Sequence, residues 1–226
     1  MSLIAKGGLI VSCQARADNP LHGPEFMAAM ARAAEAGGAV AIRANGAADI
    51  AAIRAVTDLP IIGIDKVFAE GEAVYITPSI EAAKRVMNAG AQIVGLDCTD
   101  RTRAGGDWRK VLASVIETGC EAFADISTLD EALAAEDAGA TYVATTLSGY
   151  TDLATAVPQD PDLALVEELS KLLSVPVVAE GRYNTPVLAR AALDAGAHAV
   201  VVGTMITNPR EITRRFIGAV QSKNLE

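Results

Sequence analysis

The stretch Ala195-Gly196-Ala197-His198-Ala199-Val200-Val201-Val202-Gly203-Thr204 holds one complete structural step of this chain. An Ala-rich helical segment stops at Gly196, because glycine tolerates the left-handed conformation that closes a helix. The apolar run from Ala199 then reads as a strand. It does not alternate with polar residues, so it suits a strand covered on both faces. Gly203 ends the run and allows a tight turn. Working outward, the same step recurs at residues 8–13, 39–43, 61–65, 93–97, 122–126, 142–146 and 177–180, so that with 199–203 there are eight apolar runs. Their starts lie about 27 residues apart, a length that suits one strand–helix unit. Between them, residues 25–36 and 163–173 place apolar side chains at three- and four-residue intervals, the helical pattern. Gly37, Gly90, Gly119 and Gly139 close helices as Gly196 does. Pro60 and Pro176 open the third and seventh runs, since proline cannot continue a helix and suits the first residue of a strand. Eight such units predict an α/β chain folded as a single (β/α)8 (TIM) barrel domain over residues 1–226. The same alternation also permits an open doubly wound sheet.

Composition narrows the function. The chain has 226 residues, 51% hydrophobic and 21% charged, with only 4% aromatic. This is a globular composition whose core is built from small and β-branched side chains. The formal net charge of −9, without clustered Lys and Arg, argues against nucleic acid or an anionic membrane as partner. A small anion is still admissible, because backbone N–H groups at helix starts bind anions locally. No apolar run approaches the ~20 residues of a membrane span. Residues 3–13 lack the long apolar stretch and cleavage site of a signal peptide. Cys13, Cys98 and Cys120 are odd in number and lack metal-ligand spacing, so they read as reduced thiols of a cytoplasmic protein. His22 and His198 are isolated, which predicts no metal site. His22 falls in the first loop, His198 at the far end of the barrel, and Trp108 opens the fourth helix as a packing residue. Cys13 sits at a strand tip with nothing to activate it as a nucleophile.

A barrel carries its chemistry at the C-terminal ends of its strands. Those positions hold Gln14 after the first run, Arg43 and Asn45 at the second, and Asp65 and Lys66 at the third. The fourth and fifth supply Asp97 and Asp125. The sixth supplies Thr145, Thr146 and Ser148, the seventh Glu180, Gly181 and Arg182, and the eighth Gly203 and Thr204. A charge next to an apolar strand tip is costly unless partnered. Any one of these alone also suits an ordinary strand-end ion pair; the set points to a site. Gly181 and Gly203, with Thr204, follow the seventh and eighth strands, where barrels often bind phosphate through backbone N–H groups. The expected barrel is therefore of the phosphate-binding type.

Several of these segments carry a resemblance: Gly8-Leu9-Ile10-Val11-Ser12-Cys13-Gln14, Ile42-Arg43-Ala44-Asn45, Leu59-Pro60-Ile61-Ile62-Gly63-Ile64-Asp65-Lys66, Ala124-Asp125-Ile126-Ser127-Thr128, Thr145-Thr146-Leu147-Ser148-Gly149-Tyr150, Ala179-Glu180-Gly181-Arg182 and Val201-Val202-Gly203. In this order they resemble the signature blocks of the N-acylglucosamine-6-phosphate 2-epimerase (N-acetylmannosamine-6-phosphate 2-epimerase) family, from Gly8 to about Phe216. The linkers at 67–71 and 104–107 depart from its pattern. The resemblance implies a cofactor-independent interconversion of N-acetylmannosamine 6-phosphate and N-acetylglucosamine 6-phosphate, a step of sialic acid and amino-sugar catabolism. It matches Lys66 to the family's catalytic lysine.

Inverting carbon 2 of an open-chain 2-acetamido sugar requires a proton to leave beside the aldehyde and return on the other face. A lysine in a dry pocket can be tuned into such a base. On this reading Lys66 takes the proton and Glu180 exchanges protons with the sugar oxygens. Asp125 orients or charges Lys66, or pairs with another strand-end group. Gln14, Arg43, Thr146, Ser148 and Arg182 are candidate substrate contacts, with Arg43 suited to stabilise the oxyanion or equally to hold carboxylates in place, and Gly181, Gly203 and Thr204 hold the phosphate. The expected partner is a small sugar phosphate, and a homodimer stays open as the assembly. A barrel-strand lysine also suits a Schiff-base aldolase, and the same tips could serve a non-catalytic phosphosugar-binding barrel.

Overall fold

A computed structural model describes residues 2–103, 106–152 and 156–222. Ala104 and Gly105 of the second departing linker lie outside the described residues. The elements run β1 (Gly8–Cys13), α1 (Pro24–Ala36), β2 (Ala41–Asn45), α2 (Ala47–Arg54), β3 (Ile61–Ile64), α3 (Ile80–Asn88), β4 (Ile93–Asp97) and α4 (Trp108–Glu117). They continue β5 (Glu121–Asp125), α5 (Leu129–Asp137), β6 (Tyr142–Ala144), α6 (Leu163–Leu172), β7 (Val177–Glu180), α7 (Pro186–Asp194), β8 (Ala199–Val202), α8 (Thr204–Thr207) and α9 (Pro209–Gln221). The eight strands form one closed barrel in sequence order. The closing pair aligns Gly8 with Ala199 and Val11 with Val202 in parallel register, which rules out the open sheet.

Two strands depart from the expected bounds by two residues. Residue 39 was expected to begin the second strand, but β2 begins at Ala41. The reason lies in how α1 ends: Gly37 keeps a right-handed φ of −79°, and the left-handed residue is Gly38, at 93°. The Ala39 N–H then still donates to the Ala34 carbonyl, so the chain is free to extend only later. The sixth strand stops at Ala144, not at residue 146, because Thr145–Leu147 winds into one tight 3-10 turn. There the Thr145 hydroxyl accepts from the Glu180 N–H and donates to the Glu180 carbonyl, replacing the strand ladder.

Strand periodicity sorts the core. Ile10, Ala41, Ile62, Ile93, Phe123, Tyr142, Val178, Ala199 and Val201 fill the barrel interior. The alternate residues pack outward against the helices, with Val11, Ile42, Ile61, Val94, Ala122 and Val143 meeting Ala31, Ile50, Val86 and Leu112. Each fully buried Val, Ile or Leu contributes about 1.5–3 kcal/mol of apolar transfer. The bottom of the barrel is plugged by Ile4, whose carbonyl lies 2.8 Å from His198 Nε2 and whose N–H donates to the Tyr142 hydroxyl. His198 thus lies far from the strand tips. Trp108 opens α4 and is buried. No helix among the described residues is long and apolar enough to cross a membrane.

Candidate active site

The strand tips converge because side chains two residues apart share a face of the pleat. Ala41, Ile62, Phe123 and Val178 point into the barrel. Two residues on from Ala41, Phe123 and Val178 stand Arg43, Asp125 and Glu180; four on from Ile62 stands Lys66. Gln14 and Gly203, each one residue past its strand, are in phase with Ile10 and Val201, and Thr146 reaches the cluster from the 3-10 turn after β6. Asp65 is out of phase, and its carboxylate is bound by Arg85 of α3 at 2.6 Å. Lys66 is therefore not the partner of Asp65.

Arg43 is the centre of the site. Its guanidinium reaches Asp125 through two bonds, Nη1 to Oδ1 at 2.9 Å and Nη2 to Oδ2 at 2.6 Å. Nη1 also donates to Glu180 Oε2 at 2.8 Å. Two-pronged charge-assisted pairs of this kind are strong and fix orientation. Arg43 and Asp125 are fully desolvated, whereas Glu180 keeps 14% of its side-chain surface exposed at the mouth. The Thr146 hydroxyl donates to Asp125 Oδ1 at 2.6 Å. Below, the guanidinium lies over the Phe123 ring, 5.1 Å from its centre. Gly95 on the neighbouring strand makes room for Ile64, since a Cβ there would sit 2.6 Å from that side chain.

The Lys66 backbone is held by its N–H donating to Asn45 Oδ1 at 2.9 Å and by an antiparallel bridge to Ile76. Burial pulls its ammonium down to about 8; Arg43 and Arg16 add to the fall, while Glu180 and Asp125 oppose it. Burial raises the Glu180 carboxyl, and the charge of Asp125 adds to the rise against the pull of Arg43. The barrel mouth thus holds a lysine easily deprotonated and a carboxylic acid easily protonated, the two directions that acid–base chemistry near neutrality needs.

The remaining tip residues divide. Gln14 donates from Nε2 to the Ser12 hydroxyl at 2.8 Å, and its buried Oε1 has no partner among the described residues. Asp97 is bound by Arg101 at 2.6 Å and Arg103 at 3.2 Å, tying down the loop after β4. Ser148 is buried and donates to Asp162 Oδ2 at 2.7 Å. The Arg182 fork donates to the Asp160 and Ser148 carbonyls, both at 2.7 Å, and lies over Tyr150. Ser148 and Arg182 therefore engage the β6–α6 loop, apart from the Arg43 cluster. Gly181 takes a φ of 109°, and Gly203 precedes the one-turn α8, which opens with the exposed Thr204. His22 Nδ1 lies 3.0 Å from the Ala15 carbonyl. Burial pushes the Cys13 thiol up to about 12, so it stays protonated. Among the described residues no group of three or more His, Cys, Asp or Glu is placed to hold a metal ion.

Sequence reasoning passed over two groups at the mouth. Arg16, on the β1–α1 loop, acts electrostatically on Lys66. Tyr75 comes from the β3–α3 segment, beyond the departing linker, and feels the charges of Asp125, Arg101, Asp97 and Arg16. Neither lies at a strand tip, so the tip rule had no means of finding them.

Known proteins share this chain's sequence and shape. The profile of the family described as "Putative N-acetylmannosamine-6-phosphate epimerase" matches residues 27–222. A "Putative N-acetylmannosamine-6-phosphate 2-epimerase" of Caldanaerobacter subterraneus subsp. tengcongensis is 48% identical, over 99% of this chain and 96% of its own. One of the same name from Clostridioides difficile is 44% identical, over 96% and 97%. The solved N-acetylmannosamine-6-phosphate 2-epimerase of Clostridium perfringens superposes with a TM-score of 0.92 at 44% identity, covering 96% of this chain and 94% of its own. The chain belongs to the N-acetylmannosamine-6-phosphate epimerase family.

Proposed function

We propose that this protein interconverts N-acetylmannosamine 6-phosphate and N-acetylglucosamine 6-phosphate by removing and returning the proton on carbon 2, with no cofactor. The observation that carries the reading is the pairing of Lys66, its ammonium pulled down to about 8, with the buried Arg43–Asp125–Glu180 cluster. The names of the relatives supply the substrate.

In this reading the neutral Lys66 amine accepts the carbon-2 proton of the open-chain sugar. At pH 7 roughly a tenth of a lysine of pKa 8 is neutral, enough for a general base. The enediolate that forms carries negative charge on oxygen beside carbon 1. Glu180, whose burial raises its carboxyl to about 7 so that a fraction is protonated near neutrality, gives that oxygen a proton and recovers it when the aldehyde re-forms. The enediolate then turns its other face to Lys66 by rotation about the carbon 2–carbon 3 bond, and the ammonium returns the proton to carbon 2 there. Asp125, itself held by Thr146, fixes Arg43 in place, and Arg43 holds Glu180 and presents its guanidinium beside it. A fixed positive group costs no reorganisation when the oxyanion develops. The phosphate rests on the loops after β7 and β8, where, among the described residues, the Thr204 and Met205 N–H groups after Gly203 have no hydrogen-bond acceptor. Gln14 points its free Oε1 toward a sugar hydroxyl. Ser148 and Arg182 support the substrate by holding the β6–α6 loop.

The assembly we infer is a homodimer. Helix α9 buries none of its residues, and Phe216 and Val220 are 68% and 81% exposed. An apolar groove of about 470 Å³, lined by Leu9, Leu193, Val200, Val202 and Met205, lies open beside α7. A second copy's α9 suits that groove; a monomer by sedimentation at micromolar concentration would count against it.

The test of the reaction is direct. Purified protein and N-acetylmannosamine 6-phosphate in heavy water should yield the gluco epimer with deuterium at carbon 2 by proton NMR. Conversion without label at carbon 2, or no conversion, would overturn the reading.

A further inference from the structure

The residues between β3 and α3 fold back over the barrel mouth. Lys66 bridges Ile76, the Val67 N–H donates to the Tyr75 carbonyl, and the Thr77 N–H donates to the Asp65 carbonyl. The base of this flap is tied down where Thr77 donates to the Gly95 carbonyl at 2.6 Å and the Asp97 N–H donates to the Ile76 carbonyl. Arg101 holds its outer arm through the Ala73 carbonyl. On the flap, the rings of Phe68 and Tyr75 stack, with centres 5.0 Å apart and planes 23° apart. Tyr75 packs on Ile64, Ile76 and Leu147 at the mouth. Phe68 stands 68% exposed at the open end. The Tyr75 hydroxyl makes no hydrogen bond among the described residues, and burial keeps it protonated as a donor.

This placement acquires meaning from the path of the substrate, and so rests on the function proposed above. β3 and β7 are four strands apart in a closed ring of eight, hence on opposite sides of the mouth. A sugar whose phosphate lies beyond β7 and β8 and whose carbon 2 meets Lys66 crosses the mouth toward β3. The acylamino group is bonded to carbon 2, so it continues past Lys66 onto the flap. The charged groups near this point are already paired, Arg43 with Asp125 and Arg101 with Asp97. An acyl group needs a donor for its carbonyl oxygen and an apolar surface for its carbon tail.

We propose that Tyr75 and Phe68 form the acyl-group subsite, with the Tyr75 hydroxyl donating to the acyl carbonyl and the stacked rings contacting the acyl carbons. Because Phe68 stands at the open end, a longer acyl chain runs along its ring toward solvent instead of meeting a wall.

The experiment compares N-acetyl and N-propionyl mannosamine 6-phosphate as substrates of the wild type, Phe68→Ala and Tyr75→Phe. The wild type should turn over both, with kcat/KM values within about fourfold of each other, the worth of one methylene contact. Phe68→Ala should lower the propionyl-to-acetyl ratio by about fourfold, since it removes the surface that the extra methylene touches. Tyr75→Phe should raise KM for both sugars about fivefold, the effect of one lost neutral hydrogen bond, with little change in kcat. If both variants slow the two sugars equally through kcat, with the ratio and KM unmoved, the flap is only a cover and the acyl subsite is overturned. Wild-type protein that turns over neither sugar overturns instead the reaction on which the subsite rests. Phe68 is largely exposed and Tyr75→Phe keeps the ring, so neither change threatens folding.

Discussion

Replacing Asp125 with Asn perturbs the site at its most buried charge. The Asp125 carboxylate has no exposed surface and receives three hydrogen bonds, two from Arg43 at 2.9 and 2.6 Å and one from Thr146 at 2.6 Å. Asparagine keeps the size and one carbonyl oxygen, so it can still accept from Arg43 Nη1 and from Thr146. Its amide N–H then faces Nη2, donor against donor, and the Arg43 charge is left with Glu180 as counter-charge. Removing one partner of a buried ion pair costs roughly 3–5 kcal/mol. At about 2–4 °C per kcal/mol for a chain of this size, Tm should fall by roughly 6–20 °C. The chemistry suffers as well. Asp125 holds the Glu180 carboxyl up and opposes the fall of Lys66, so without it both groups titrate lower. Glu180 then stays ionised against Arg43 and no longer offers a proton, and kcat/KM should drop by about 10² or more, the lower end for a lost acid–base group. Thermal unfolding by circular dichroism, with epimerisation followed by NMR, measures both effects. A Tm within about 2 °C of wild type would show that the pair is not desolvated, because exposed pairs are worth only about 0–1 kcal/mol.

Lys66→Ala should abolish both epimerisation and deuterium entry at carbon 2, by roughly 10⁴-fold; exchange at near wild-type rate would shift the base to Glu180. The acid limb of kcat/KM should fall as Lys66 takes up a proton below about 8, because only the neutral amine accepts. The alkaline limb should fall as Glu180 loses its proton, and the two steps belong to the pair jointly. Borohydride with substrate should capture no adduct by mass spectrometry; a captured one would mean an imine and an aldolase-type mechanism. Unphosphorylated N-acetylmannosamine should show a kcat/KM at least ~10²-fold lower, since phosphate contacts position carbon 2, and comparable constants would refute the phosphate site.

Much of the fold was legible one residue at a time. Gly90, Gly119, Gly139 and Gly196 all take the left-handed φ expected of them, between 83° and 107°, because no side chain pays less to close a helix. Gly37 misled because a second glycine follows it, and either could have taken the turn. The end of β6 was hidden for another reason: Thr145 leaves the ladder to bond the Glu180 backbone, and that partner is 35 residues away.

The sequence by itself determined the eight strand–helix units, their order, and the set of charged tips, because hydrophobic period, helix-closing glycine and strand-opening proline are local properties of the chain. It also carried the family blocks. The choice of the expected closed barrel over the open sheet, the pairing of Asp125 with Arg43, and the seating of Tyr75 beside Lys66 were settled by the tertiary structure. The physical reason is common to all three. Which strand phase faces inward, which carboxylate meets the guanidinium, and how far a flap folds back depend on groups brought together from distant parts of the chain. Their energies arise only once water has been excluded between them.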